Sequence, residues 1–225
     1  MEYVEVARAR TPRGEIVLRE RRPEDASEPT VLELRVNGVF VMDTAETGTE
    51  RALARKALEL VEAPRDVLIG GLGLGFTVRE VLGDARVERV VVAEIEDALV
   101  QWLREGTIPH GPTYLSDRRL RVVTLDLVDA VAEAGADSYD LVLLDVDNGP
   151  GYLVHAHNAA VYQVPFLRAV RERLRAGGAL AVWSADPAPS LQRDLEATFG
   201  AVEARPMDVR LQDRAEQYWL YVARR

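Results

Sequence analysis

Acidic side chains follow consecutive apolar runs of the sequence. Glu94 ends "RVVVAE", Asp126 ends "RVVTLD", and Asp145 and Asp147 come directly after "YDLVLL". One acid at a strand end is ordinary, but a row of carboxylates in one crevice repels itself and loses hydration, a cost that a cationic ligand offsets. The row therefore predicts a site for a positively charged molecule, with Asp145 and Asp147 as candidate catalytic residues.

A glycine-rich run precedes the first of these acids. In "GGLGLGF", Gly71, Gly73 and Gly75 allow the backbone to approach a ligand closely and leave amides free at the start of a helix. The run lacks the glycine that a dinucleotide-binding fingerprint would have at Phe76. A tight strand-to-helix turn with no ligand is the alternative interpretation of these glycines.

The elements that would position these residues alternate along the chain from residue 66 onward. Runs rich in Val, Ile and Leu predict strands at 67–71, 89–94, 121–126, 139–146 and 179–185. Helices fit at 76–83, 97–105, 127–134, 158–175 and 189–198. Pro165 is expected to break or start the fourth helix, and Gly177-Gly178 to stop it. Apolar runs that do not alternate predict a largely parallel, doubly wound sheet, which binds ligands at its carboxyl edge.

Two further strands end the chain. "AVEARPMDV" and "QYWLYVARR" are separated only by a loop, which predicts an antiparallel pair at the sheet edge. Five strand-helix units followed by a hairpin are typical of the Rossmann-like fold of class I S-adenosylmethionine-dependent transferases. We therefore predict an α/β fold with a mostly parallel, seven-stranded sheet in residues 47–225.

Residues 1–46 have the pattern of a small β region. Asn37-Gly38, between "LELRV" and "VFVMD", is a signal for a two-residue β-hairpin. Thr47 and Glu50 have the spacing of a capping box, which predicts that a helix starts there. Glu50 is accordingly interpreted as a cap rather than as a ligand-binding residue.

The composition excludes several classes of function. The chain has 225 residues and a net charge of -9, which argues against binding to nucleic acid or to an anionic membrane. It has no cysteine, and therefore neither disulfides nor a thiolate site. His110, His155 and His157 lack metal-binding spacing, and no apolar run approaches a membrane span. We expect a soluble, cytoplasmic protein that uses no metal.

The chain resembles a known family at this point. The motifs that carry the resemblance are "VLIGGLGLGFTVREVL" (67–82), "VVVAEIEDALV" (90–100), "RVVTLD" (121–126), "YDLVLLDVDNGPG" (139–151) and "LRAGGALAVW" (174–183). In order and spacing they are similar to those of the spermidine synthase, or polyamine aminopropyltransferase, family. The similarity covers roughly residues 31 to 223 and indicates a divergent member.

The resemblance implies a transferase of polyamine biosynthesis that is a homodimer. It would move an aminopropyl group from decarboxylated S-adenosylmethionine to a small cationic amine. By the resemblance, Glu94 holds the ribose, Asp126 the adenine and Asp145 the attacking amine. The predicted site comprises Asp145 and Asp147 as catalytic residues, Gly71, Gly73, Gly75, Glu94, Ile95, Asp126 and Leu127 at the cofactor, and Asn148 and Tyr152 at the substrate.

Three departures from the family pattern leave the donor and the acceptor open. The family's first loop reads GGGDGG, with an Asp that meets the cofactor's free amine, and Leu74 has that position here. The family spaces its two catalytic acids as D-x-x-D, whereas this chain has D-x-D. The Gln, Tyr and His of the hairpin-to-helix junction are missing from "MDTAETGTERAL". The alternative enzyme is a methyltransferase that uses intact S-adenosylmethionine, and the alternative from another class is a non-catalytic adenosine-binding or scaffold protein.

Some of these residues also have a purely structural interpretation. For Glu94 it is a solvated strand end or a helix cap, for Asp126 an N-cap, and for Asp147 a local turn. Tyr152 and Trp183 lie near predicted strand ends, and facing a cation with their rings is the functional interpretation of both. For Trp183, packing in the core is the more common role of such a residue.

Overall fold

The computed structural model describes residues 2–25, 27–147, 149–211 and 214–225, which form an N-terminal sheet and a larger central sheet. The first part of the chain contains β1 (Glu2–Thr11), β2 (Gly14–Arg22), β3 (Val31–Val36), β4 (Val39–Asp43), α1 (Gly48–Glu59), β5 (Asp66–Gly70), α2 (Phe76–Gly83), β6 (Arg89–Glu94), α3 (Asp97–Glu105) and α4 (Gly111–Leu115). The second part contains β7 (Leu120–Thr124), α5 (Leu127–Glu133), β8 (Tyr139–Leu144), a 3-10 helix (Ala156–Tyr162), α6 (Val164–Arg173), β9 (Leu174–Ser184), α7 (Pro189–Phe199), β10 (Val202–Leu211) and β11 (Arg214–Arg224).

The N-terminal sheet is antiparallel, with the strand order β1-β2-β3-β4. Asn37 (φ 52°) and Gly38 (φ 77°) connect β3 to β4 as the predicted two-residue hairpin, because this turn needs positive φ at both central residues. Ile16 and Leu34 of this sheet belong to the same buried cluster as Leu53 of α1. The small sheet therefore shares a hydrophobic core with the large one.

The large sheet has the strand order β10-β11-β9-β8-β5-β6-β7. Its pairings are parallel from β9 to β7, and β11 is antiparallel to both β9 and β10. Ile69 and Leu143, at the centre of the sheet, are fully buried, as expected for strands covered on both faces. The predicted fold class is confirmed, and the strand order reverses between β5 and β8, where such sheets bind their ligands.

The helix predicted at 158–175 is divided in the structure. A 3-10 helix ends at Tyr162, Gln163 caps the next helix, and Pro165 lies in the first turn of α6, where its missing N–H costs nothing. Thus Pro165 starts a helix, as one of the two predicted outcomes.

The prediction that Gly177-Gly178 stops this helix is wrong. The helix ends at Arg173, and Leu174 already begins β9. The register between β8 and β9 shifts from Tyr139–Leu174 to Leu141–Ala179, so that residues 175–178 bulge out of the ladder. Gly177, at φ 81°, allows this bulge, which is the use the chain makes of its glycine.

Two further observations complete the fold. The sequence did not predict α4, a five-residue helix too short to show a periodic pattern. No helix in the described ranges is long and apolar enough to cross a membrane. The division of the chain between residues 46 and 47 stays a prediction, and it falls between the last strand of the small sheet and α1.

Candidate active site

A cavity of about 440 Å³ opens at the carboxyl edge of the large sheet and is bordered by the N-terminal sheet. Its walls include most of the site residues predicted from the sequence, namely Gly71, Gly73, Glu94, Ile95, Asp126, Leu127, Asp145 and Asp147. The acids that follow β6, β7 and β8 therefore converge on one space. Their contacts with ligands stay predictions.

The glycine loop after β5 is tightly packed against its neighbours. A Cβ atom at Gly71 would lie 2.2 Å from the carbonyl oxygen of Asp145, and one at Gly73 would lie 2.7 Å from Met42 Sδ. Gly71 also has a φ of 93°, which favours glycine. Gly75, at φ 87°, is the N-cap of α2 and is not part of the cavity wall, so its predicted cofactor contact has no support from its position.

Leu74 turns away from the cavity. Its side chain is fully buried, its amide donates to Met42 Sδ at 3.2 Å, and its carbonyl accepts a hydrogen bond from His110 Nε2 at 2.6 Å. It is absent from the residues that line the cavity. This loop therefore offers no carboxylate to the amine of a bound donor.

Glu94 lies at the end of β6 and is buried, with 7% of its surface exposed. Its Oε2 accepts the amide of Leu72 at 2.9 Å and its Oε1 accepts the amide of Glu96 at 2.8 Å. Burial raises the pKa of Glu94, and these backbone hydrogen bonds oppose the rise. Glu94 is neither solvated nor the N-cap of α3, which is Glu96. A carboxylate has about four lone-pair sites, so Glu94 keeps capacity to accept a hydroxyl proton.

Arg13, in the turn between β1 and β2, reaches the same end of the cavity. Its Nε donates to Glu96 Oε1 at 2.7 Å, and its Nη2 donates to the carbonyl of Ile95 at 2.7 Å. Sequence reasoning missed this residue, because nothing local marks an arginine whose partner lies 83 residues away. The ion pair ties the tip of the N-terminal hairpin to the end of β6.

Asp126 is the N-cap of α5, since its Oδ1 accepts the amide of Val128 at 2.8 Å. Its other oxygen lies 3.2 Å from Nε2 of His157, an exposed residue of the 3-10 helix. The capping role is thus confirmed, and the carboxylate still borders the cavity. A contact with adenine is compatible with the cap and stays a prediction.

Asp145 and Asp147 differ in their surroundings. Asp145 Oδ2 accepts a hydrogen bond of 2.6 Å from Thr77 Oγ1, and burial raises the pKa of Asp145 to about 6 although this hydrogen bond lowers it. Asp147 has a φ of 53° and accepts from Asn158 Nδ2 at 2.9 Å. Burial also raises the pKa of Asp147, and the Asn158 hydrogen bond opposes the rise. The left-handed backbone supports the interpretation of Asp147 as a turn residue. Asp145, by contrast, lines the cavity with a carboxylate that Thr77 holds in place.

The structure describes only one of the two predicted substrate residues. Asn148 lies outside the described residues, and Tyr152 is 57% exposed and does not line the cavity. Trp183, by contrast, is buried, lines the cavity and stacks on Tyr218 with a centroid distance of 5.4 Å. Trp183 therefore packs in the core and also lines the cavity.

Glu50 is the main site residue that sequence reasoning misassigned. Thr47, the N-cap of α1, has φ -110° and ψ 8° and makes no side-chain capping bond, so the predicted capping box is wrong. Glu50 instead lines the cavity, and its Oε2 accepts from Thr49 Oγ1 at 2.7 Å. The usable signal was a group of acids at the hairpin-to-helix junction, where Asp43 and Glu46 also line the cavity.

Comparison with known proteins agrees with this geometry. A profile of the spermine/spermidine synthase domain matches residues 46–195. Polyamine aminopropyltransferase 2 of Pseudomonas aeruginosa is 33% identical over 163 residues, which are 68% of this chain and 44% of that protein. Putrescine N-methyltransferase 2 of Nicotiana tabacum is 32% identical over 117 residues, which are 51% of this chain and 31% of that protein. The chain thus spans less than half the length of these curated relatives.

Solved structures show the same fold over nearly the whole chain. Spermidine synthase from Thermotoga maritima superposes with a TM-score of 0.79 at 16% identity, over 98% of this chain and 72% of that one. A spermidine synthase in complex with the transition state analogue AdoDATO gives a TM-score of 0.81 at 17% identity, over 98% and 73%. Because the family profile also matches well over half of the residues, the chain belongs to the spermine/spermidine synthase domain family.

Proposed function

We propose that this chain transfers an aminopropyl group from decarboxylated S-adenosylmethionine to a small amine, as in polyamine biosynthesis. The observation that carries the proposal is the convergence of Glu94, Asp126 and Asp145 on one cavity. A sulfonium donor and an ammonium acceptor both suit such a cavity, because opposite charge within about 4–6 Å stabilises ionised carboxylates. The family, and a relative named polyamine aminopropyltransferase, support the same reaction.

The donor end of the cavity has the groups that a nucleoside requires. Glu94, held by two backbone amides, would accept hydrogen bonds from the ribose hydroxyls. Asp126, fixed as the cap of α5, would accept from the adenine amino group. Glycines at 71 and 73 let the donor lie against the backbone beside Asp145.

The reaction itself is a backside displacement at a carbon bonded to the sulfonium sulfur. Its demands are proximity, exclusion of water and an unprotonated nitrogen nucleophile. Asp145 would hold the acceptor nitrogen, because its carboxylate lies in the wall and is fixed by Thr77. No metal is required for these steps.

A methyltransferase that acts on an amine is the second candidate. Leu74 supports it, because the loop that would bind the free amine of the decarboxylated donor is without a carboxylate here. The similarity to a putrescine N-methyltransferase supports it as well. The two candidates differ in the group that is transferred to the acceptor, which is aminopropyl in one and methyl in the other.

Mass spectrometry of the products separates them. The protein is incubated with a panel of diamines and polyamines and with each donor in turn, and we expect methylthioadenosine from the decarboxylated donor. S-adenosylhomocysteine from the intact donor would establish methylation instead, and neither product would favour a non-catalytic protein. Asp145→Asn should abolish the signal, while Asp129→Asn, on the exposed side of α5, serves as the matched control.

The cytoplasmic location and the homodimer that the sequence analysis predicts are further parts of this proposal. Light scattering coupled to size-exclusion chromatography tests the assembly state, with a mass of twice 25.0 kDa expected.

A further inference from the structure

Two carboxylates from different elements line the cavity close enough to influence each other's charge. Asp145 follows β8, and Glu50 lies in the first turn of α1. Both line the cavity, beside the stacked rings of Trp183 and Tyr218. Over the described ranges, neither carboxylate forms an ion pair with an arginine or a lysine. This part of the wall is therefore open to a cation from solution.

The two carboxylates are held differently. Thr77 Oγ1 lies 2.6 Å from Asp145 Oδ2 and 3.4 Å from the carbonyl oxygen of Glu50, so its one proton goes to Asp145. Thr77 is itself buried, at 2% exposure, which fixes the direction of the Asp145 carboxylate. Glu50 Oε2 accepts the neighbouring hydroxyl of Thr49, and the Glu50 carboxylate also has a hydrogen bond with its own backbone. Asp145 is thus the oriented member, and Glu50 has acceptor capacity to spare.

The electrostatic difference between them has the same direction. Burial, and then the charge of Asp145, raise the pKa of Glu50 to about 7. Burial raises the pKa of Asp145 to about 6. Both carboxylates therefore hold a proton more readily than exposed ones, and at Glu50 the charge of the neighbouring carboxylate adds to the effect of burial. General bases are most effective when their pKa lies near the working pH.

We propose, building on the function proposed above, that Glu50 is the catalytic base that takes the proton of the acceptor ammonium, while Asp145 orients the nitrogen. The acceptor enters as an ammonium, and one N–H proton passes to the Glu50 carboxylate. The freed lone pair forms the new N–C bond as the C–S bond breaks. The electron pair of the broken C–S bond stays on sulfur and neutralises the sulfonium charge. The product is a secondary ammonium, and the proton on Glu50 leaves to solvent.

Other titratable groups surround Glu50 and enter any pH profile. Asp43 at the end of β4 contributes negative charge that adds to the raised pKa of Glu50. Tyr218 and Glu216 face it from β11, where burial and then the charge of Glu50 raise the pKa of Tyr218. On the α2 side, Arg51 of α1 pairs with Glu80 at 3.5 Å. Only a difference between variants can therefore assign a titration to Glu50.

Glu50→Gln is the decisive variant, because it removes the charge and the basicity and keeps an acceptor for Thr49. We expect kcat to fall by roughly 100-fold or more, with loss of the acidic limb of the pH profile of kcat/KM for the amine. The Kd of methylthioadenosine, which carries no amine, should stay within about twofold. Glu59→Gln, on the exposed part of the same helix, is the matched control and should behave as wild type.

Calorimetry provides a readout that does not depend on which group is transferred. Putrescine is titrated into the protein at about pH 6.5 in two buffers of different ionisation enthalpy, which measures the protons released on binding. Wild type should release a proton as the ammonium displaces the one on Glu50, and Glu50→Gln should release clearly less. If wild type yields S-adenosylhomocysteine, the proposed function fails, and the proton count still tests Glu50.

Two outcomes would overturn the assignment of Glu50. One is a Glu50→Gln variant that retains kcat within twofold and the same acidic limb. The other is unchanged proton release on amine binding. Should Glu50→Gln not fold, as checked by circular dichroism, Glu50→Asp is measured in its place, and a pH profile identical to that of wild type in both rate and limb would count against the proposal.

Discussion

The side chain of Leu74 shows how one residue limits the choice of donor. In the family pattern this position has an Asp, and here a fully buried Leu contacts the core. Its amide and carbonyl are both used by neighbours, Met42 and His110. The position thus acts in packing, and the amine of a decarboxylated donor needs a partner elsewhere in the wall.

Leu74→Asp is therefore expected to destabilise the protein rather than to improve donor binding. Placing a carboxylate where a buried leucine packs removes apolar contacts and desolvates a charge, at a cost of roughly 3 kcal/mol or more. Urea unfolding monitored by circular dichroism measures the loss. Wild-type stability together with tighter binding of the decarboxylated donor would show that the Asp reaches the cavity after all.

Residues with a strong local signal were predicted well, and those defined by distant partners were not. Asp126 was assigned both to the cavity and to an N-cap, and the structure places it in both. Glu50 was misassigned because the T-x-x-E spacing has the same form whether or not the cap forms. Arg13 had no local signal, since its role depends on a contact across 83 residues.

The glycine loop after β5 and the end of β8 together form one part of the cavity wall. Gly71 lies so close to the carbonyl of Asp145 that a single methyl group would overlap it. Any displacement of the loop therefore also displaces Asp145. The two strands that provide these residues, β5 and β8, are hydrogen-bonded neighbours.

Gly71→Ala should weaken both stability and donor binding. We expect a loss of about 2 kcal/mol or more, because a positive φ strains alanine and the Cβ overlap adds to that strain. Gly177→Ala is the matched control, with φ 81° and open space around its Cβ, and it should show the backbone strain alone. Equal effects of the two variants on unfolding and on methylthioadenosine binding would contradict the close-approach argument.

The hairpin between β1 and β2 is the other element with a testable contact. Arg13→Gln removes the ion pair with Glu96, so the buried Glu96 carboxylate loses this charged partner. We expect the binding free energy of methylthioadenosine to become weaker by ~1–2 kcal/mol. Arg10→Gln changes an arginine of the same hairpin whose side chain is 80% exposed, and it should bind normally. Isothermal titration of both variants decides whether the hairpin stabilises the donor end, and equal affinities would show that it does not.

Element boundaries were predicted where the sequence has sharp ends. The helix at 76–83 and the strand at 89–94 agree residue for residue with α2 and β6. The segment around 156–178 was predicted less well, because the bulge at 175–178 depends on pairing with β8 and on backbone hydrogen bonds to Arg225. Periodicity alone does not encode such bulges.

For the whole molecule, the raised pKa values of the cavity carboxylates make stability depend on pH. A carboxyl group with a higher pKa in the folded state contributes stability that is present below its unfolded value and is lost as the pH rises through the folded value. Glu50 moves from 4.5 to about 7, which corresponds to at most about 3 kcal/mol, and Asp145 acts in the same direction.

The free energy of unfolding of the ligand-free protein should therefore fall between about pH 5 and pH 8. Glu50→Gln should flatten this dependence, whereas Glu59→Gln should keep it. A saturating polyamine should restore stability at the upper pH, because it binds only the folded state. Parallel pH profiles for wild type and Glu50→Gln, measured by urea unfolding, would argue against the raised pKa.

The position of β11 between β9 and β10 has a consequence for biosynthesis. β10 leaves the ribosome before β11 yet has no sheet neighbour until β11 inserts beside it. β11 also carries Glu216 and Tyr218 to the cavity. The part of the wall that Glu216 and Tyr218 form is thus added to the cavity after the strands that carry Glu94 and Asp145 have been synthesised.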